Sequence, residues 1–122
     1  MVQKFKKKIS KTICFDLDGV ICNTLKNNYE FSKPIKKNIN KINSLYKEGF
    51  KIIIFTARYM GRSNENVKTA HKKGFKKTNN QLKKWGVKFH QLKFGKPSYD
   101  LIIDDKGIFF KKNWINKIDK YL

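Results

Sequence analysis

Two short runs of β-branched and aromatic residues in this 122-residue chain each stop at a pair of aspartates. The first reads Thr12-Ile13-Cys14-Phe15-Asp16-Leu17-Asp18-Gly19-Val20, and the second Tyr99-Asp100-Leu101-Ile102-Ile103-Asp104-Asp105-Lys106. Residues of these types without helical spacing favour extended chain, so the runs predict strands over Ile9 to Phe15 and Leu101 to Ile103. If the two strands are parallel neighbours, Asp16, Asp18, Asp104 and Asp105 meet in one small volume. Carboxylates so placed repel and destabilise the fold unless a cation joins them. Oxygen-only ligands favour Mg²⁺. The chain has only nine acidic residues and a net charge of +20, so four acids in two tight pairs argue against surface decoration.

The sequence between the pairs alternates strand and helix signals. Ile35, Ile39, Ile42, Leu45 and Tyr46 recur at helical spacing, with Ser32 and Pro34 as start signals and Gly49 as the stop. Lys51 to Phe55 then forms an apolar run of the kind found in strands covered on both faces. Strand, helix, strand predicts a parallel crossover. Ser63 is expected to cap a helix over Asn64 to Lys73 that Gly74 ends, and Thr78 with Gln81 forms a capping-box pattern for a second, short helix ended by Gly86. Val87 to Leu92 predicts a third strand, and Trp114, Ile115, Ile118 and Leu122 an amphipathic C-terminal helix. The expected fold is α/β: a small Rossmann-like three-layer sandwich with a mainly parallel, doubly wound sheet. One domain over residues 1–122, with a basic N-terminal arm at 1–10, uses the whole length. Ligands in such sheets bind at the carboxyl ends of the strands.

Composition narrows the function classes. The longest apolar runs, Ile52 to Phe55 and Leu101 to Ile103, are far too short to span a membrane. Met1 to Lys8 looks like the basic start of a signal peptide, but Asp16 and Asp18 interrupt the apolar segment that should follow, so no export signal is read. Cys14, placed inside an expected buried strand, and Cys22 are too few for a disulfide framework and are expected to be inert. A reduced, cytoplasmic protein is the expectation. Arg58 and Arg62 are the only arginines among 29 cationic residues. The lysines are scattered as pairs and read as a solvated surface that attracts anions, with nucleic acid as a possible partner. His71 and His90 are expected at the surface or in packing.

Chemistry concentrates at four places. Asp16 and Asp18 flank a residue pointing the other way, so both can reach one cleft, and Gly19 permits a sharp turn that brings N–H groups toward an anion. Phe55-Thr56-Ala57-Arg58 puts a hydroxyl and a loop N–H at the end of the next strand. Gly95-Lys96-Pro97 places a lysine ahead of the strand that ends at Asp104-Asp105. With these elements in this order, the chain resembles the haloacid dehalogenase superfamily, specifically its Mg²⁺-dependent phosphatases. The resemblance implies that Asp16 is the nucleophile that becomes an aspartyl-phosphate. It implies that Asp18 protonates the leaving oxygen and then activates water. Thr56, with Gly19 and Ala57, would hold the phosphate and Lys96 would stabilise it. Asp104 and Asp105 would complete a metal site with Asp16 and Asp18, Asp105 being favoured as the direct ligand. Arg58 and Arg62 could hold the leaving group of the substrate.

The spacing leaves no room for a cap domain between these elements. Short loops, a large substrate or a second copy of the chain in a homo-oligomer would then have to exclude water. Phe55 to Arg62, together with Gln81 to Val87, looks like small phosphatases of capsule and surface-polysaccharide biosynthesis. That implies a phosphorylated sugar or polyol precursor as substrate. Two alternatives come from other classes: a phosphatase acting on nucleotide or polynucleotide ends, and a non-catalytic phosphate-binding domain.

Overall fold

The computed structural model describes residues 11–111 and 113–122. The N-terminal arm, with the Ile9 start of the first expected strand, lies outside the described residues. Strand β1 (Thr12–Asp16) pairs in parallel with β4 (Lys51–Thr56), which pairs in parallel with β5 (Gln91–Phe94), giving the order β1-β4-β5. Two residues each of β2 (Cys22–Asn23) and β3 (Lys33–Pro34) make a separate antiparallel ladder beside the first loop. Helix α1 (Lys36–Lys47) joins β1 to β4, and α2 (Val67–Lys84) joins β4 to β5. A short α3 (Trp114–Ile118) and a 3₁₀ turn (Asp119–Tyr121) finish the chain. The described residues thus form an α/β, Rossmann-like fold with a parallel sheet, and among them no cap-like extra unit is present.

The register explains the core. Phe15 and Ile54 are paired, as are Ile54 and Leu92, and the neighbouring Ile52, Thr56 and Phe94 point to the same face. All six are buried. Ile39, Ile42 and Leu45 supply the matching apolar stripe of α1, each such side chain contributing about 2 kcal/mol on burial. The opposite face carries Cys14, Ile53, Phe55, Gln91 and Lys93, none of them buried. The β4 run, expected to be covered on both faces, is therefore buried on one and half-buried on the other, and Cys14 is exposed.

Buried Asn38 ties three segments together: its amide donates to the Val20 carbonyl at 2.7 Å and its oxygen accepts from the Trp114 indole at 3.2 Å. That lock holds α1 and α3 against the loop that follows β1.

Four further expectations need correction, the first being the third strand, expected over Val87 to Leu92 and found at Gln91–Phe94. The helices read on either side of Gly74 are one continuous helix, α2, of 18 residues. Gly74 ends nothing; it is buried where α2 meets the Tyr59 ring, and a Cβ there would run into that ring. The cap of α2 is Asn66, whose side chain accepts from the Thr69 N–H at 3.0 Å, and not Ser63, which lies in a preceding 3₁₀ turn. Leu101 to Ile103 forms no strand, its side chains being 79, 56 and 94% exposed. A run of three apolar residues offers few ladder hydrogen bonds against the entropy of ordering the segment that carries it.

Candidate active site

The loop after β1 is wound around one acceptor. The Leu17 carbonyl takes N–H groups from Val20, Ile21 and Cys22 at 3.3, 2.9 and 3.3 Å, and Gly19 N–H donates to the Cys22 carbonyl at 2.7 Å. Gly19 sits at φ +94°, a conformation that only glycine adopts without strain. This winding leaves Asp16 and Asp18 both directed into one cavity at the carboxyl end of β1. The Gly19 N–H is occupied by Cys22, so Gly19 shapes the site and does not present the free donor expected of it.

Asp16 faces Lys96, which follows β5, with Nζ 3.3 Å from Oδ2. The Lys96 backbone N–H donates to the Thr56 carbonyl at 3.1 Å, which extends the β4–β5 pairing and fixes the lysine above the strand ends. Burial pushes the Asp16 carboxyl above its ordinary value, and the Lys96 charge offsets only part of that. For Lys96, burial opposes the charge, but Asp16 and Tyr99 outweigh it and hold the amine above its ordinary value. Lys96 therefore stays an ammonium, and it is the main counterweight to the desolvation of Asp16.

Asp18 is held by Arg58, whose side chain is 1% exposed against 29% for Asp18. Arg58 Nε and Nη2 lie 3.2 and 2.9 Å from Oδ1, and Nε lies 3.0 Å from Oδ2. Oδ1 also accepts from the Thr24 hydroxyl at 2.6 Å. A buried guanidinium needs partners for its remaining donors. Nη1 donates to Gln81 Oε1 at 2.7 Å and reaches Thr78 at 3.4 Å, Nη2 reaches Ser32 at 3.3 Å, and the Tyr29 ring lies 4.8 Å from the guanidinium carbon. Thr78 and Gln81, read from sequence as a helix start, are instead one turn of α2 aimed at Arg58. The Thr56 hydroxyl is fully buried and accepts from the Arg58 N–H at 3.1 Å, so it fixes the Arg58 backbone and does not line the cavity.

The cavity holds about 460 Å³. Asp16, Asp18, Arg58 and Lys96 form its floor, Ala57 a wall, and Lys26, Asn27, Arg62 and Tyr99 its exposed rim. Arg62 Nη2 donates to the Asn27 carbonyl at 2.6 Å, and the guanidinium sits 5.0 and 5.1 Å from the Tyr29 and Tyr59 rings. Of the expected site residues, then, the structure brings together Asp16, Asp18, Ala57, Arg58, Arg62 and Lys96, with Gly19 and Thr56 one step behind. Thr24, Lys26, Asn27, Tyr29, Gln81 and Tyr99 join them without a sequence signal of their own, the Thr78–Gln81 spacing excepted.

Asp104 and Asp105 do not join. Both are exposed, and Asp104 accepts the Lys106 N–H at 2.9 Å in a local turn. With the fourth strand unformed, nothing carries them to the cavity, which corrects the expectation that four acids share one volume. Among the described residues no group of three or more His, Cys, Asp or Glu side chains gathers as a metal site. With the Asp18 carboxylate held by Arg58, the Asp16 carboxylate and the Asp18 backbone carbonyl are the hard oxygen donors on offer, of the type that Mg²⁺ takes when water and a phosphate oxygen supply the rest. In donor chemistry the residues present fit that ion. His71 stacks on Phe75, and His90 stacks on Tyr46 while accepting the Ile52 N–H at 3.0 Å; neither lines the cavity.

No family model and no curated protein sequence matches the chain. Among solved structures it is similar to a crystal structure of a target protein from Vibrio cholerae, with 23% identity and a TM-score of 0.76, over 91% of this chain and 98% of that one. At that identity the likeness concerns the fold alone. Among the described residues no helix is long and apolar enough to cross a membrane.

Proposed function

We propose that the chain is a phosphomonoester hydrolase of the haloacid dehalogenase type, acting through an aspartyl-phosphate on Asp16. Its substrate is a small phosphorylated sugar or polyol, a precursor of surface polysaccharide. The observation that carries this reading is the Asp16–Lys96 pair at the floor of a cavity that also holds Asp18. A carboxylate can serve as nucleophile toward a phosphate ester only where nearby positive charge offsets the repulsion of like charges. Mg²⁺, which Asp16 and the backbone carbonyl of Asp18 would hold, supplies the rest of that charge when bound.

In the first step an Asp16 oxygen attacks phosphorus, the bond to the substrate oxygen breaks, and that oxygen takes the proton that Asp18, a carboxylate in its resting pair with Arg58, has first taken up from solvent on Oδ2. In the second, water attacks the same phosphorus, Asp18 accepts its proton, and the bond to Asp16 breaks to release phosphate. Asp18 has two unequal oxygens for this. Oδ1 is engaged by Arg58 and Thr24, whereas Oδ2 has the Nε of Arg58 as its one hydrogen-bond partner among the described residues. Oδ2 is the oxygen left to carry the proton. Arg58 keeps the carboxylate from rotating away, and Lys96 neutralises charge on the transferring group.

The test is phosphate release from sugar phosphates, polyol phosphates, nucleotides and end-phosphorylated oligonucleotides, with Mg²⁺ or with EDTA. Release from small sugar or polyol phosphates, lost in EDTA and in Asp16→Asn, is the expected result. Release confined to oligonucleotide ends would favour the polynucleotide reading, and no release above the Asp16→Asn background would overturn the enzyme.

A further inference from the structure

We propose that the cavity takes a substrate carrying a second anionic group, a carboxylate or another phosphate, held at the rim by Arg62 and Lys26. This assigns a substrate class to the site just described and rests on the phosphatase reading of it. Six charged residues line the cavity: Asp16, Asp18, Lys26, Arg58, Arg62 and Lys96. Asp18 is matched by Arg58 and Asp16 by Lys96. Among the described residues Lys26 and Arg62 face no carboxylate. Glu65 lies outside the cavity lining, and its oxygen accepts the Ser98 N–H at 3.0 Å.

Arg62 is also built into place, unlike a surface lysine. Its Nη2 is anchored on the Asn27 carbonyl and its guanidinium lies against two tyrosine rings, which leaves the rest of the planar donor set preorganised for an oxyanion. The same hydrogen bond braces Lys26 and Asn27, which sit at φ 50° and 60°, the left-handed region that non-glycine residues adopt at a cost of about 1 kcal/mol each. Strain held in this way keeps Lys26 on the rim. Composition adds an independent argument. All but two of the 29 cationic residues are lysine, and the two arginines, Arg58 and Arg62, both line this one cavity. Arg58 is taken up by Asp18, so Arg62 is the bidentate group free to meet a ligand. A volume of about 460 Å³ is that of a site for a whole small molecule, leaving space for such a group beyond the transferring phosphoryl.

The experiment compares a hexose monophosphate, the corresponding sugar-acid phosphate and a hexose bisphosphate, in the wild type, Arg62→Gln and Lys26→Gln. The ratio of kcat/KM for each substrate with a second anionic group to that for the monophosphate is expected to be about ten to a hundred in the wild type, the worth of one charge-assisted contact, and to collapse toward one in Arg62→Gln. The sugar acid and the bisphosphate separate the two sources of the second anion. A wild-type ratio near one for both, or a ratio that survives in both variants, would overturn the proposal. Calorimetric binding of the same three compounds to Asp16→Asn keeps the two readings apart. Tighter binding of a compound with a second anionic group, lost in Asp16→Asn/Arg62→Gln, supports the rim site even where no compound is hydrolysed, a result that sinks the phosphatase alone. Equal binding of all three sinks the rim site whatever the turnover.

Discussion

Removing the Arg58 guanidinium exposes the energetic logic of the site. In Arg58→Met, Asp18 keeps its charge but loses three of the hydrogen bonds that satisfy it, and Gln81 Oε1 loses the donor that faces it at 2.7 Å. Breaking a fully buried ion pair by deleting one partner costs about 3–5 kcal/mol. Because the Asp18 side chain is 29% exposed, water recovers part of that, and a loss of about 2–3 kcal/mol is expected. For a domain of this size each kcal/mol lowers Tm by about 4 °C, so the variant should melt about 10 °C early. Asp18→Asn removes the charge from the other side and leaves Arg58 buried without its counter-ion, at similar cost. The double variant leaves neither charge stranded, so its loss should fall short of the sum of the two singles by about 2 kcal/mol in urea titration. Additivity within about 0.5 kcal/mol would refute the view that Asp18 and Arg58 are held as a coupled pair.

Three further outcomes follow from single positions. Gly74→Ala should destabilise by about 1–2 kcal/mol in urea, because the clash with the buried Tyr59 ring outweighs the gain of about 1 kcal/mol in helix propensity; a stabilised variant would show that the contact yields. Asn66→Ala should lose about 1 kcal/mol by removing the α2 cap, while Asn66→Asp keeps most of it. Burial, helped by the Asp18 charge, pushes the Cys22 thiol up from 9.0 to about 11. The folded state then holds its proton where the unfolded state releases it, so this contribution to stability is present below pH 9 and lost as pH rises through about 11. At about pH 8 only about one thiol in a thousand is ionised, so native-state iodoacetamide should label exposed Cys14 well before Cys22, and equal labelling rates would contradict this environment.

Where a single physical signal decided the outcome, the fold was legible in the sequence. Apolar spacing and the Gly49 stop predict α1 within a residue or two, and the β-branched runs predict β1 and β4. A glycine that ends a helix and one that admits a neighbouring ring look alike in sequence, and only the Tyr59 contact shows Gly74 to be the second kind. Thr78 and Gln81 have the spacing of a capping box, yet i and i+3 on a continuous helix also share a face, and here that face meets Arg58. The site was legible where a strand end delivers the residue, as for Asp16, Arg58 and Lys96. Lys26, Asn27 and Tyr29 reach it through left-handed turns and ring contacts that leave no periodic trace. Asp104 and Asp105 needed a strand that three apolar residues do not nucleate alone, so the second acidic pair stays apart from the first.

The covalent step proposed on Asp16 is tested most directly by trapping it. Borohydride added during turnover of a hydrolysed sugar phosphate reduces an aspartyl-phosphate and leaves a mass change on the modified residue. The peptide containing Asp16 should carry that change only when substrate is present, and the Asp16→Asn protein should show none. Turnover with an unmodified Asp16, or with the mark on another residue, would contradict the account.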